Sequence, residues 1–154
     1  MYLETERLIL RSFAPEDARA LHTVLSDPEV MRHIEPPFDE TETLAFLESA
    51  AFCVPPRIYA LQEKSSGALA GHVIFHPFEE KAWELSWILG RAFWGRGYAS
   101  EVTEALLEHS RREGIRRLVI EFAPEQAVSR RLAEKFGFIP AGMSDGLERW
   151  EKSV

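Results

Sequence analysis

Apolar residues along this chain recur with two periods, and the switches between them mark out the elements. Leu8-Ile9-Leu10-Arg11, flanked by charge, reads as a first strand. Ala14-Pro15-Glu16-Asp17 reads as a helix start, with proline at the first helical position and acids in the first turn. That helix is predicted to run to about Leu25, with Ala18, Leu21, Val24 and Leu25 inward. Asp27-Pro28 breaks it, Val30 to Ile34 forms another short turn, and Glu35-Pro36-Pro37-Phe38 is a rigid connector. Asp39 followed by Glu42 makes a capping-box-like pair for a second helix to about Phe52, its inward side carrying Leu44, Phe46, Leu47 and Ala51.

After Pro55-Pro56 the period shortens. Ile58-Tyr59-Ala60-Leu61 is a strand, Lys64-Ser65-Ser66-Gly67 a hairpin loop, and Leu69 to His76 the next strand, closed by Pro77. Trp83 to Leu89 is the fourth, alternating Trp83, Leu85 and Trp87 against Glu84, Ser86 and Ile88. A glycine-bearing loop, Gly90 to Gly97, leads into a helix with Ala99, Val102, Ala105, Leu106 and His109 at helical spacing, ending near Arg111-Arg112-Glu113-Gly114. Leu118 to Phe122 is a fifth, continuous apolar strand suited to the middle of a sheet. A helix from about Ala127 to Phe136 stops at Gly137, and Phe138-Ile139 and Leu147 to Trp150 close the chain around a turn at Asp145-Gly146. No repeat, linker or low-complexity segment interrupts this order. It implies one domain over residues 1–154, built on a mixed α/β sheet.

The strand, glycine loop and helix start between Trp87 and Arg112 form an anion-site layout. First-turn amides have no partner inside the helix, and the helix dipole adds about half a positive charge there. Gly95 and Gly97 let backbone approach a phosphate, and Arg96 between them supplies a full charge. On spacing alone, a plain strand-to-helix turn explains the glycines equally well.

Composition narrows the partners. Net charge is −7, from 25 acidic and 18 basic residues, which argues against a long nucleic-acid footprint and suits a cationic partner such as an amine. No stretch approaches the ~20 apolar residues of a membrane span. The acidic N-terminus does not read as a signal peptide. One cysteine, Cys53, excludes an internal disulfide and a cysteine-based metal cluster, so a cytoplasmic, metal-free protein is expected.

Three stretches carry a family resemblance: ETERLILRSFAPEDARAL over residues 4–21, WGRGYASE over 94–101 and APEQAVSRRLAEKFGF over 123–138. Together they resemble the GNAT superfamily of acetyl-CoA-dependent N-acetyltransferases, in the branch similar to ribosomal-protein (RimJ/RimL-type) N-terminal acetyltransferases. The resemblance implies a mixed, mostly antiparallel sheet of six to seven strands, splayed between strands four and five and flanked by helices. It implies that the pantetheine arm of acetyl-CoA enters the splay and pairs with backbone around Ile88 and Leu89. The pyrophosphate would then lie on the amides of Trp94, Gly95, Arg96, Gly97, Tyr98 and Ala99, with Ser100 adding a hydroxyl. Two positions depart from the family pattern. Ala92 stands where Gln or Arg often begins the loop, which leaves Arg91 or Arg96 to substitute. Gln126 stands where the branch usually has Asn, so a contact to cofactor or strand end would persist with shifted geometry.

Acetyl transfer to an amine needs a neutral amine, a positioned thioester, oxyanion stabilisation and a proton for the leaving thiolate. A lysine amine (pKa ~10.4) needs a general base more than an α-amine (~8) does. Glu84 is the first candidate base, because members of this superfamily often carry a glutamate there, acting directly or through water. Glu121, His72 and His76 are weaker ones. A backbone N–H near Ile88 or Leu89 would serve the oxyanion. The tyrosine that protonates the thiolate in many relatives is replaced by Ala133, and Ser129 is the remaining side chain expected at the sulfur. Tyr98 is expected to pack while lending its N–H. The acceptor site is expected among the helices from Pro15 to Phe52, the Pro36-Pro37 connector and the C-terminal hairpin, with Phe38, Phe46, Phe52 and Trp150 as candidate flooring and Glu35 and Asp39 as attracting charges. The expected activity is acetyl-CoA-dependent transfer to a primary amine, either a protein N-terminus or a small molecule, by direct attack in a ternary complex. The rival is a GNAT-fold module that binds acyl-CoA without turnover. Similar proteins are frequently homodimers.

Overall fold

The sheet is organised by the alternation in the fourth predicted strand, which gives two differently furnished faces. A computed structural model describes all of residues 1–154. A two-residue strand, β1 (Leu3–Glu4), pairs antiparallel with β2 (Leu8–Arg11). It is too short to show a period, so the sheet has eight strands rather than the expected six to seven, and the predicted fourth and fifth strands become β5 and β6. Next come α1 (Ala18–Leu25), the single turn α2 (Pro28–Met31) and α3 (Glu40–Phe46), the last continued by a wider π-type turn over Leu47–Ala51. The remaining elements are β3 (Ile58–Glu63), β4 (Leu69–Glu79), β5 (Ala82–Leu89), α4 (Tyr98–Arg112), β6 (Arg117–Phe122), α5 (Ala127–Lys135), β7 (Ile139–Ser144) and β8 (Leu147–Ser153).

The strands lie in the order β1-β2-β3-β4-β5-β6-β8-β7. All neighbours are antiparallel except β5 and β6, which run parallel and register only at Trp83 with Leu118 and Glu84 with Val119. Both strands continue past those pairs, β5 to Leu89 and β6 to Phe122, without pairing each other. The sheet therefore opens into a V at its centre, as expected.

Two cores account for the helices. On one face Leu8, Leu10, Val73, Phe75, Leu85, Leu118, Ile120 and Phe122 meet Val102, Leu106 and Leu107 of α4 and Ala133 of α5. On the other, Leu21, Val24 and Leu25 of α1, with Met31 and Leu47, cover Ile58, Ala60 and Leu69. This second core contains no residue of β6, β7 or β8. Over that half no helix of the second core covers the sheet, which leaves a recess whose side chains, around the buried Val119, are mostly polar.

Three local expectations are corrected. Leu44 is 54% exposed rather than inward. The Asp39–Glu42 capping box forms and sets the helix phase so that Thr43 and Leu47 point in, and the Thr43 hydroxyl donates to the Asp39 carbonyl at 2.9 Å. β4 does not close at Pro77 but continues to Glu79, with the register shifting just after the proline, where a missing N–H is tolerated. Trp150 is buried in the first core rather than flooring a pocket, whereas Phe52 is 42% exposed.

Candidate active site

The edge of β5 is the backbone half of the site. A Cβ built on Gly71 of β4 would lie 2.0 Å from the Ile88 carbonyl oxygen, so only glycine fits there and that carbonyl is committed to β4. Gly90 likewise donates its N–H to the Ala70 carbonyl at 2.8 Å. With residues 88 and 90 turned toward β4, strand alternation turns the backbone of Trp87 and Leu89 into the V. The Leu89 carbonyl already accepts a hydrogen bond there, from the Trp94 indole N–H at 2.9 Å. Of the two positions expected to meet the pantetheine arm, Leu89 presents its backbone and Ile88 does not.

The loop that follows makes a 3-10 turn over Arg91–Phe93, then passes through Gly95 and Gly97 at φ +73° and +77°. These are left-handed values that favour glycine, and nothing lies within 4 Å of a Cβ placed on Gly95. Gly97 caps the 15-residue α4, and no side chain takes up its first amides. The amides of Tyr98, Ala99 and Ser100 thus open a helix whose dipole favours an anion. The start of α4 is anchored from behind: Glu101 accepts from the Arg7 backbone N–H at 2.8 Å and pairs with its guanidinium at 2.7 Å. That guanidinium also lies over the Tyr98 ring at 4.6 Å.

The basic side chains divide. Arg91 turns away from the loop and binds both oxygens of Asp27, the residue that caps α2, at 2.6 and 3.0 Å. Arg96 stays at the loop and donates to Glu63 at 2.8 Å. Glu63, nearly buried at the end of β3, also accepts from the Tyr98 hydroxyl at 2.5 Å and the Ser66 hydroxyl at 2.7 Å. Those two hydroxyls, Tyr98's first, hold its carboxyl below the usual carboxylate range. Of the two arginines offered as substitutes for the side chain missing at Ala92, only Arg96 is in place. Sequence reasoning missed Glu63 altogether, because nothing local marks a residue 33 positions upstream.

Across the V, α5 presents Ser129, half-buried on its first turn. Gln126 spends its side-chain oxygen on the Ala123 N–H at 2.8 Å, closing the turn after β6, which is the strand-end contact rather than a reach into the V. Lys135 donates to the Ser100 hydroxyl at 2.5 Å and brings a cation to the mouth of α4. Ala133, where relatives carry tyrosine, is fully buried in the first core.

The recess lies on the opposite face of the same strands. Glu84 is only 21% exposed and its Oε2 sits 2.9 Å from Nε2 of His76, directly across β4–β5. On β6, Glu121 stands two residues beyond Val119, the register partner of Glu84. Its Oε1 is buried without a partner. Burial first, and then the charge of Glu84, push the Glu121 carboxyl above its ordinary range. Arg149 of β8 is held between Glu79, at 2.6 and 2.8 Å, and Glu151, at 2.7 and 2.9 Å. Four of the five N–H donors of that guanidinium are thus engaged by carboxylates. A signal for the Glu84–His76 pair did exist: both are four residues from Glu80 at the β4–β5 turn, so a tight hairpin sets them opposite each other. His72, also a candidate, lies elsewhere. It is fully buried with neither ring nitrogen partnered, the Phe46 ring edge-on at 5.5 Å, and burial holds its imidazole down to about 4. Glu35 and Asp39 are exposed, and Asp39 is occupied in capping α3.

No three His, Cys, Asp or Glu side chains converge as a metal site, and no helix is long and apolar enough to cross a membrane. What converges is a helix mouth with uncapped amides, a strand edge beside it that no neighbouring strand pairs, and a recess holding two carboxyls and an imidazole.

Relatives with known folds share this arrangement of elements. An acetyltransferase of the GNAT family from Bacillus anthracis superposes with a TM-score of 0.88 at 25% identity, over 100% of this chain and 98% of that one. A ribosomal L7/L12 α-N-protein acetyltransferase, RimL, solved in complex with coenzyme A, superposes at 0.84 with 21% identity, over 100% and 98%. Its likeness bears on the fold alone. YnaD of Bacillus subtilis strain 168, an N-acetyltransferase by name, is 29% identical over 160 residues, covering 99% of this chain and 94% of its own. The family model for the acetyltransferase (GNAT) domain matches residues 7–139. The chain belongs to the GNAT family of acetyltransferases and is an acyltransferase enzyme.

Proposed function

We propose that this single-domain enzyme moves the acetyl group of acetyl-CoA to a primary amine by direct attack in a ternary complex. The observation that carries the reading is the parting of β5 and β6 just past Glu84 and Val119. It leaves the Trp87–Leu89 edge bare between the helix mouth on one side and the Glu84–Glu121 recess on the other. In this reading the diphosphate lies on the amides from Trp94 to Ala99, with Arg96, Ser100 and Lys135 at the rim. The pantetheine arm follows β5, displaces the Trp94 indole from Leu89 and sets the thioester carbonyl against a strand N–H, that of Leu89 or Trp87. Such a donor is typically worth about 3 kcal/mol to the transition state.

The acceptor approaches from the recess, which is rimmed by Glu79, Glu84, Glu121 and Glu151. A carboxylate there takes a proton from the ammonium, and the freed nitrogen lone pair attacks the thioester carbon. The C–S bond breaks, and the thiolate leaves with the second nitrogen proton, delivered through Ser129 or water. Arg149 is held by Glu79 and Glu151 through four hydrogen bonds, so an acceptor carboxylate would have to compete with both acids for it, and the site favours amines that lack a neighbouring acid. A peptide N-terminus and a small polyamine both meet that condition.

Thiol release from acetyl-CoA, measured with a panel of amines and with mass spectrometry of the acetylated nitrogen, tests the proposal. Release with at least one amine, together with micromolar coenzyme A binding by calorimetry, is expected. Coenzyme A binding and a raised melting temperature without release on any amine would leave a binding module. No uptake of coenzyme A by folded protein would remove the reading.

A further inference from the structure

The hydrogen bonds around His76 dictate a proton count. Its Nδ1 lies 2.6 Å from the Pro77 carbonyl oxygen, which can only accept, so Nδ1 carries a hydrogen. Its Nε2 lies 2.9 Å from Oε2 of Glu84. A neutral imidazole protonated on Nδ1 has only a lone pair at Nε2, and an ionised carboxylate has only lone pairs as well. Two lone pairs do not meet at hydrogen-bond distance without a proton between them. Either the imidazole is doubly protonated or Glu84 carries the hydrogen, and in both cases the pair holds one bridging proton.

We propose that His76 and Glu84 form a one-proton unit in the resting enzyme, with His76 the positioning residue that decides when Glu84 acts as a base. Glu84 accepts the acceptor's proton only after the bridging proton has gone to solvent. Of the two protons that the ammonium gives up, one returns to the unit and then to solvent, and the other ends on sulfur, so the balance closes. The unit has both acids and arginines around it. Glu121 is adjacent on β6, with Glu79 and Glu151 nearby, and the two arginines there, Arg149 and Arg117, are tied to those same two acids. The catalytic part of this inference rests on the acetyl-transfer reading, whereas the proton count does not.

The experiment is long-range proton–nitrogen NMR of the histidine side chains in the full chain, with His76 identified by the signals lost in His76→Gln. In the wild type, Nδ1 is expected to stay protonated throughout, and Nε2 to titrate together with Glu84. In Glu84→Gln the side-chain amide donates to a neutral Nε2, so the Nε2 midpoint is expected to fall by about one pH unit or more while the Nδ1–H tautomer persists. An unchanged midpoint in Glu84→Gln, or an Nε2–H tautomer in the wild type, overturns the inference whether or not the protein turns over. Kinetics supplies the second readout: in His76→Gln the acid limb of kcat should move to lower pH with the KM for acetyl-CoA unchanged. An unmoved acid limb in an active enzyme would overturn the base-gating role, and failure to bind coenzyme A would strike the acetyl-transfer reading alone.

Discussion

The helix mouth and the recess lie on opposite faces of β5 and are built in opposite ways. The mouth is made of consecutive residues, Leu89 to Ser100, and its chemistry is backbone: left-handed glycines, uncapped amides and a strand carbonyl held by the Trp94 indole of the same loop. The recess is made of side chains from β4, β5, β6 and β8 that meet only through strand register. A backbone site tolerates sequence drift, provided the glycines and the helix remain. A register site depends on the identity of each side chain and on the pairing that holds it. Cofactor binding and proton handling should therefore separate under mutation.

The largest effect is expected where the two regions share a wall. Gly71→Val puts a side chain into the Ile88 carbonyl, 2.0 Å from the Cβ position, and must break the β4–β5 pairing that supports both. A loss of about 4 kcal/mol or more is expected from chemical denaturation, with coenzyme A binding and the His76–Glu84 signals lost together. Loss of only one of the two would show that the regions do not share this support.

Next comes the separation itself. Glu84→Gln is expected to lower kcat by about 10²–10⁴-fold, the usual worth of a general base, while leaving coenzyme A affinity within about twofold. An unchanged kcat and pH–rate profile would transfer the base role to Glu121. Gly97→Val is the converse, because it strains a residue at φ +77° and disturbs the helix mouth. It should weaken coenzyme A by roughly tenfold, or ~1.4 kcal/mol, with the His76 signals unmoved.

Acid should act on the covered half of the same sheet face, where His72 lies buried against Phe46 of α3. Burial holds His72 down to about 4, against ~6.5 for a free histidine, so the folded chain keeps it neutral while the unfolded chain protonates it. Its contribution is fully present above pH ~6.5 and is lost as the pH falls through about 4. Across that window the loss is on the order of 3 kcal/mol, and His72→Leu should flatten it in urea midpoints measured at pH 7 and pH 4.5. Equal acid sensitivity in the variant would assign the loss to other groups.

The same contrast explains what the sequence made legible. The strand alternation, the Asp39–Glu42 cap, the glycine loop and the β5–β6 splay were all readable, because each is a local pattern or a family feature resting on one. The phase of α3 was misread at Leu44, since apolarity suggested the inward side while the cap set it. The missing first strand, Leu3–Glu4, has two residues and no period to detect. Glu84 and His76 were each named as single residues, and their pairing follows from the register of the β4–β5 hairpin about Glu80. Glu63 lies beside the loop only because β3 delivers it there.

Glu63 also gives the smallest and most discriminating effect. A nearly buried carboxylate beside a proposed diphosphate site opposes the anion, yet it fixes Arg96 and Tyr98, the side chains that shape the loop. Glu63→Gln removes the charge and keeps a side-chain oxygen for the Tyr98 and Ser66 hydroxyls. If the loop holds its shape through its own glycines, releasing Arg96 from a charge partner should tighten coenzyme A by about two- to threefold at low salt. That gain should fade at 1 M salt, where the screening length is about 3 Å. Should affinity fall instead, and fall equally at both ionic strengths, the mouth is not self-sufficient backbone: it would then depend on a distant side chain, as the recess does, and the contrast between the two faces of β5 would narrow to one of degree.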